Sequence, residues 1–181
     1  MKKGFTLLFA VLISSLLLSV GIAILDLSIK EFALAAASRE SQYAFYAADD
    51  GLECGLYWDH YNPLAVSSTT SSFATSTQSV INNKVACNGS TVTFGSGSPL
   101  ITQIGSYIVA TTTLSLSYEK LNGTILVADP NGPCAIITVL KSTSITGSST
   151  GVTATTISSR GYDTCNTNNP YRTERGIQSS Y

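Results

Sequence analysis

Charged side chains are scarce in this sequence, at 12% of its residues, and its 10 lysines and arginines nearly balance its 11 aspartates and glutamates. A protein that binds nucleic acid through the phosphates needs a basic surface, which this balance does not provide. We therefore predict no nucleic-acid partner. A length of 181 residues leaves room for one ordinary domain and an extension, which argues against a two-domain enzyme.

Recognisable patterns of catalytic or metal-binding side chains are also missing. His60 is the only histidine, so a Ser-His-Asp triad or a multi-histidine metal site would have to rely on it alone, and a polar surface residue is the simpler interpretation. No P-loop, GxSxG or HExxH motif occurs, and Asp129–Gly132 lacks the further acidic ligands of a calcium loop. We predict no catalytic residue, no metal ion and no cofactor, and interpret the chain as a protein that is not an enzyme.

The four cysteines, Cys54, Cys87, Cys134 and Cys165, are widely spaced, and no two of them form a CxxC pair. This spacing argues against a zinc knuckle or a redox motif, and an even number behind an export signal favours two disulfides in an oxidising, extracytoplasmic space. Four cysteines allow three pairings. We favour Cys54 with Cys87, which ties a helix end to the following loop, and Cys134 with Cys165, which joins two strands.

A long segment near the start of the chain has no charge at all. Phe5 to Leu25 is 21 residues long and follows Lys2 and Lys3. As an α-helix it would span ~32 Å, about the hydrocarbon thickness of a bilayer. The flanking lysines predict that the chain before this segment stays in the cytoplasm and that everything after Leu25 is exported. Membrane lipid is thus a predicted partner.

Such a segment has three interpretations. An ordinary secretory signal peptide would be cut after Ala33-Leu34-Ala35, but Asp26, Lys30 and Glu31 precede that site and the apolar run exceeds the usual ~7 to 15 residues. A plain signal anchor before an unrelated exported domain is compatible with the hydropathy. The third interpretation rests on a resemblance to a known family.

The heptapeptide Lys2-Lys3-Gly4-Phe5-Thr6-Leu7-Leu8 resembles the class III signal of type IV prepilins, in which a short basic leader ends in Gly before Phe-Thr-Leu. The resemblance implies cleavage after Gly4 by a prepilin peptidase and methylation of the new amine of Phe5. The apolar helix would be retained, first as a membrane anchor and later as a packing surface for other pilin subunits. It also implies an inner-membrane assembly platform as a partner.

One position departs from the family pattern. Five residues into the mature chain the family usually has a glutamate, thought to pair with the terminal amine of the preceding subunit, and this chain has Phe9. The departure argues against ordinary incorporation along a filament shaft. We therefore expect a minor subunit at or near a filament tip.

The helix is predicted to continue from Asp26 to about Trp58, because no proline occurs before Pro63 and Ala, Leu, Glu and Gln are frequent. Asp49, Asp50 and Glu53 are interpreted as part of a solvated helix face. An apolar face at helical spacing is expected to bury against a sheet, and its members are Phe45, Ala48, Leu52 and Leu56.

Beyond the helix, the period of the apolar pattern changes to two. Asn62 to Gln78 is interpreted as a surface connection, and the clearest strand is Ile108 to Ser117. A hairpin is predicted between Thr124–Ala128 and Ala135–Leu140, across the turn signal Asp129–Pro133. Further strands are predicted at Val152–Ser159 and Glu174–Tyr181, and Asn-Gly turns are preferred over glycosylation sites at Asn88–Ser90 and Asn122–Thr124.

Together these features predict an α+β fold, in which a long N-terminal helix packs on a small antiparallel sheet in the ladle arrangement of pilins. The expected parts are a leader (1–4), a transmembrane helix (5–25), an amphipathic helix (26–60) and a β-rich extracytoplasmic head (61–181). The expected function is that of a structural subunit in a type IV pilus-like or pseudopilus filament, at the cell surface or in the periplasm. The alternative is a signal-anchored extracytoplasmic binding or adhesion domain that does not polymerise.

Overall fold

A single long N-terminal helix is the first element of the fold. The computed structural model describes residues 3–60, 72–73, 85–87, 91–96, 98–122, 125–146 and 149–181. Helix α1 covers Lys3–His60, which confirms the continuous helix predicted from Phe5 to about Trp58. The chain divides into two compact units, Met1–Arg39 and Glu40–Tyr181, so α1 contributes to both.

The described part of the second unit contains eight strands. They are β1 (Thr91–Phe94), β2 (Leu100–Ile104), β3 (Tyr107–Ser117), β4 (Glu119–Asn122), β5 (Ile125–Ala128), β6 (Cys134–Thr146), β7 (Ser149–Tyr162) and β8 (Glu174–Ser180). An open antiparallel sheet has the order β1-β3-β6-β7-β8, with β2 also paired to β3, and β4 and β5 form a separate two-stranded sheet. The end of α1 packs on the open sheet, which confirms the predicted α+β fold.

The predicted hairpin between Thr124–Ala128 and Ala135–Leu140 is wrong. Strand β5 pairs with β4, whereas β6 pairs with β3 and places Cys134 opposite Ser117. The chain therefore leaves the sheet after Ser117 and returns at Cys134, and the Tyr118 carbonyl accepts from the Asp129 amide at 2.9 Å at the base of this excursion. The turn itself is formed, since the Gly132 amide donates to the Asp129 carbonyl at 3.1 Å.

The face that α1 buries against the sheet consists mainly of small residues, and this corrects the predicted apolar face in part. Phe45 is 47% exposed, whereas Ala48 is buried as predicted, and Leu52 and Leu56 are partly buried and pack against the core. A Cβ atom at Gly161 of β7 would overlap the backbone of Ala44 and Ala48, so helix and strand backbones are in direct contact. The fully or nearly fully buried helix positions are Ala44, Ala47, Ala48, Gly51, Gly55 and Trp58.

The hydrophobic core lies farther along the same helix–sheet interface. Buried and partly exposed side chains alternate along β3 from Val109 onward, as its period-two pattern predicts. Ala110, Leu114 and Leu116 are buried, at 1% exposure or less. Phe73 is also buried, at 2% exposure, which corrects the surface interpretation at that residue. Most of Asn62–Gln78, all of Asn88–Ser90 and residues 123–124 lie outside the described residues. The core cluster comprises Trp58, Phe73, Val85, Cys87, Leu114, Leu116, Ala135, Ile137, Val139 and Ile157.

Candidate membrane and assembly segment

Gly4 and Phe5, the predicted cleavage position, lie in the first turn of α1, which begins at Lys3. The first amides of a helix have no acceptor within the helix, so this turn opens more easily than the turns behind it. The Phe5 side chain is 75% exposed, and its ring stacks on that of Phe9 with 6.4 Å between centroids. The peptide bond between Gly4 and Phe5 is therefore at a helix end with an exposed aromatic neighbour.

The apolar side chains that follow are exposed along the whole first unit. Those of Leu16, Leu17 and Leu18 are 64–66% exposed, and Phe32 is 79% exposed. Exposed apolar area of this extent is unfavourable in water and favourable in lipid or against other helices. Among the described residues α1 is the one helix long and apolar enough to cross a membrane, so it is suited to a single span or a signal anchor.

Polar side chains within this segment bond to the helix that carries them. The Ser14 hydroxyl donates to the Val11 carbonyl at 3.0 Å, and the Ser15 hydroxyl donates to the Leu12 carbonyl at 2.9 Å. A hydroxyl satisfied in this way does not need water. These serines are therefore compatible with a hydrocarbon environment.

The first charged pair after the apolar run is Asp26 and Lys30. The Lys30 ammonium lies 2.8 Å from the Asp26 carboxylate, and both side chains are about two-thirds exposed, at 67% and 66%. An exposed i,i+4 pair stabilises a helix by only about 0.3–0.5 kcal/mol. Its main consequence is positional, because it marks where the apolar segment ends.

The cysteines differ in their bonding. Cys54 of α1 and Cys87 form a disulfide with 5.8 Å between Cα atoms, the pairing favoured from the sequence. Cys134 and Cys165 are free thiols in the structure, so their predicted disulfide is not formed there. A hydrogen bond joins the two thiols. This bond lowers the pKa of Cys165 to about 7, and Ser117 and Arg172 add to the effect. The same bond raises the pKa of Cys134.

The acids near the end of α1 have specific partners. Asp50 accepts a hydrogen bond from the Tyr118 hydroxyl, and burial together with this bond raises the pKa of Tyr118. Asp59 forms an ion pair of 2.6 Å with Lys141 of β6, and the two side chains are only 4% and 6% exposed. Asp59 thus ties the helix end to the sheet, and Asp50 ties it to the chain just after β3, which corrects the solvated interpretation of Asp50. Glu53 is exposed as predicted.

Asp59 also accepts from the Tyr181 hydroxyl at 2.5 Å. The ring of Tyr181 stacks on His60 with 4.7 Å between centroids, so the only histidine takes part in a ring contact. The sequence contained a signal for the buried pair, because Lys141 lies on the same face of β6 as the buried residues Ala135, Ile137 and Val139. A lysine on a buried strand face requires an anionic partner.

Within the described ranges, no group of three or more His, Cys, Asp or Glu side chains is arranged to hold a metal ion. Comparisons with protein-family models, with characterised proteins and with solved structures give no match. The functional assignment therefore depends on the residues themselves and on the geometry of α1.

Proposed function

We propose that this chain is a pilin-like structural subunit of an extracytoplasmic filament. The observation that carries the proposal is the single helix Lys3–His60, exposed and apolar in the first unit and packed on a sheet in the second. Its first residues carry the Gly4-Phe5-Thr6-Leu7 sequence that resembles a prepilin signal. A retained helix of this kind serves both as a membrane anchor and as an assembly surface.

Continuity of the helix also bears on the competing signal-peptide interpretation. Ala33-Leu34-Ala35, the small-x-small site, lies inside α1 rather than in an extended segment, and a peptidase acts on extended chain. Removal of the apolar segment at that site would need the helix to unwind in its middle. Gly4, in contrast, is in the first turn.

Assembly follows from the exposed apolar surface of α1. In a bilayer, lipid covers Leu16 to Leu18 and the neighbouring side chains, and in a filament the helices of other subunits replace that lipid. Transfer between these two environments need not expose apolar area to water. The sheet-bearing unit would form the outer part of the filament and meet its partners there.

Processing tests the proposal directly. In a host with a prepilin peptidase, the exported chain should start at Phe5 and carry one extra methyl group on its amine, as measured by N-terminal peptide mass spectrometry. A Gly4→Leu variant should remain full length in the membrane, with Gly21→Leu as a control that leaves the cleavage position intact. Trimming of the Gly4→Leu variant at Phe5 would contradict a class III signal, and a full-length wild-type chain would favour the signal-anchored alternative.

A further inference from the structure

A cavity of about 340 Å³ lies where the end of α1 meets β3. Its wall includes Asp50, Glu53, Tyr57 and Trp58 from the helix and Tyr118 from the chain just after β3. Ligand pockets usually measure roughly 300–1,000 Å³, so this one suits a small group. All of these residues belong to the second unit, and the site does not depend on filament assembly.

The lining has a marked chemical bias. Two carboxylates, those of Asp50 and Glu53, face the cavity, and among the described residues that line it none is a lysine, arginine or histidine. The hydrogen bond from the Tyr118 hydroxyl fixes the Asp50 carboxylate. A pair of carboxylates in a concave surface concentrates the negative potential there and favours a cationic ligand.

The wall also contains the aromatic side chains of Tyr57, Trp58 and Tyr118, together with Cys54, Ala86, Cys87 and Leu116. The Trp58 ring is fixed, because its Nε1 donates to the Ala86 carbonyl at 3.0 Å and its side chain is 7% exposed. Tyr57 meets it edge to face with 5.6 Å between centroids. Aromatic faces attract organic cations and accept their apolar parts, whereas a bare inorganic cation gains little from such walls.

We propose that this cavity binds an alkylammonium group. The carboxylates of Asp50 and Glu53 would meet the ammonium, and Tyr57, Trp58 and Tyr118 would contact its alkyl part. The group can come from a free amine or from a lysine side chain of another protein.

Trp58 makes the test direct, because it is the only tryptophan of the chain and lies in the cavity wall. The full-length protein in detergent micelles is titrated with n-butylammonium chloride, with sodium butyrate at equal ionic strength as the control. Butylammonium should change the Trp58 emission saturably, and butyrate should not. Equal responses to the cation and the anion would overturn the proposal without any variant being needed.

Charge-removing variants locate the binding. Glu53→Gln keeps the side-chain shape and should weaken butylammonium binding about tenfold, the effect expected of one charged hydrogen bond. Asp49→Asn removes the same charge one residue before Asp50, outside the cavity lining, and should leave binding nearly unchanged. Equal weakening by both variants would show a general charge effect and overturn the site.

A comparison of two ligands identifies the source of the ammonium group. Nα-acetyl-lysine methylamide presents a lysine side chain with its backbone, and n-butylammonium presents the amine alone. Tighter binding of the lysine derivative supports a protein partner, and tighter binding of butylammonium supports a free amine. Saturable binding of neither compound would overturn the proposal, and the filament proposal would be unaffected.

Discussion

At the scale of single residues, Gly161 of β7 lies directly against the backbone of α1. No side chain separates the strand from Ala44 and Ala48 at this point. Gly161 is therefore required for its lack of a side chain rather than for its flexibility. The alanines opposite it are small for the same reason, because a larger residue would hold the helix away from the sheet.

A Gly161→Ala substitution should destabilise the protein, because its Cβ would overlap backbone atoms that cannot move aside. Overpacking of a core typically costs about 1–3 kcal/mol and sometimes more. Gly176→Ala is the matched control in the neighbouring strand, where the nearest atom to an added Cβ is 3.8 Å away. The free energy of unfolding of both variants, followed by Trp58 fluorescence in denaturant, checks this prediction. Equal stability of the two variants would contradict the close contact.

The buried ion pair gives a second prediction at this scale. Lys141→Met removes the cation from the Asp59 carboxylate, which is 4% exposed, and breaking a buried pair in this way costs about 3–5 kcal/mol. Lys120→Met is the control, since Lys120 is 51% exposed in its pair with Asp129 and such pairs contribute about 0–1 kcal/mol. Denaturant unfolding should show a loss of stability that is several-fold larger for Lys141→Met than for Lys120→Met. Similar losses of stability in the two variants would show that the buried Asp59 carboxylate does not need Lys141 as its partner.

At the scale of elements, the sequence predicted what depends on local pattern. The alternation in Ile108–Ser117 located β3, and the absence of proline before Pro63 located the continuous helix. The partner of β5 was not predictable, because a turn signal at Asp129–Gly132 fixes a local reversal and says nothing about which strands pair. The buried face of α1 was predicted only in part, since Ala48 is buried and Leu52 and Leu56 pack against the core, whereas Phe45 is exposed. Ala44, Gly51 and Gly55 were missed because they have little hydrophobic signal, although their small size permits close packing.

Cys134 of β6 and Cys165, in the segment between β7 and β8, are free thiols that interact, and their reactivity should depend on pH. In the reduced protein the pKa of Cys165 is lowered to about 7, so its thiolate fraction rises as the pH increases through about 7. Cys134 has a raised pKa and stays a thiol over that range. Iodoacetamide should therefore label Cys165 faster at pH 8 than at pH 6 and label Cys134 slowly at both, as measured by peptide mass spectrometry.

Oxidation extends this prediction to the pairing. The Cys165 thiolate is the group that an added oxidised glutathione should react with first, and the adjacent Cys134 thiol then displaces glutathione to form the disulfide predicted from the sequence. Peptides from the non-reduced protein should show Cys54 joined to Cys87 and Cys134 joined to Cys165. A Cys54 to Cys165 linkage would contradict both the prediction and the structure.

At the scale of the whole molecule, the two units of the chain have opposite surface requirements. The second unit buries its own core beside the sheet, whereas the first exposes apolar side chains along its length. The apolar side chains of the first unit must therefore be covered by lipid or by neighbouring helices in every environment that the chain occupies. This requirement connects the fold to the proposed function, because filament assembly exchanges one apolar environment for another.

In the proposed filament, Phe9 would influence the position that the chain takes. A carboxylate within the hydrocarbon costs roughly 2.5–3.5 kcal/mol on insertion scales, so the family retains one there because it meets the amine of a neighbouring subunit. Phe9 is exposed and apolar, which avoids that cost and also removes the partner. In the proposed filament this chain would not neutralise the amine of the subunit it docks against, yet an acid-bearing neighbour could still meet its own amine. That asymmetry favours an end position over a repeated one.

The last prediction follows from this asymmetry and is measured in sheared filaments by quantitative mass spectrometry. The wild-type chain should be a minor component, and Phe9→Glu should increase its share, because the new carboxylate can pair with a neighbouring amine. Val11→Glu is the matched control, since it adds the same charge two residues away, where no amine is expected, and should lower incorporation. If the wild-type chain is the most abundant subunit along the shaft, the tip position is wrong while the pilin-like assignment stands, because filaments could then be built from subunits that all lack the acid.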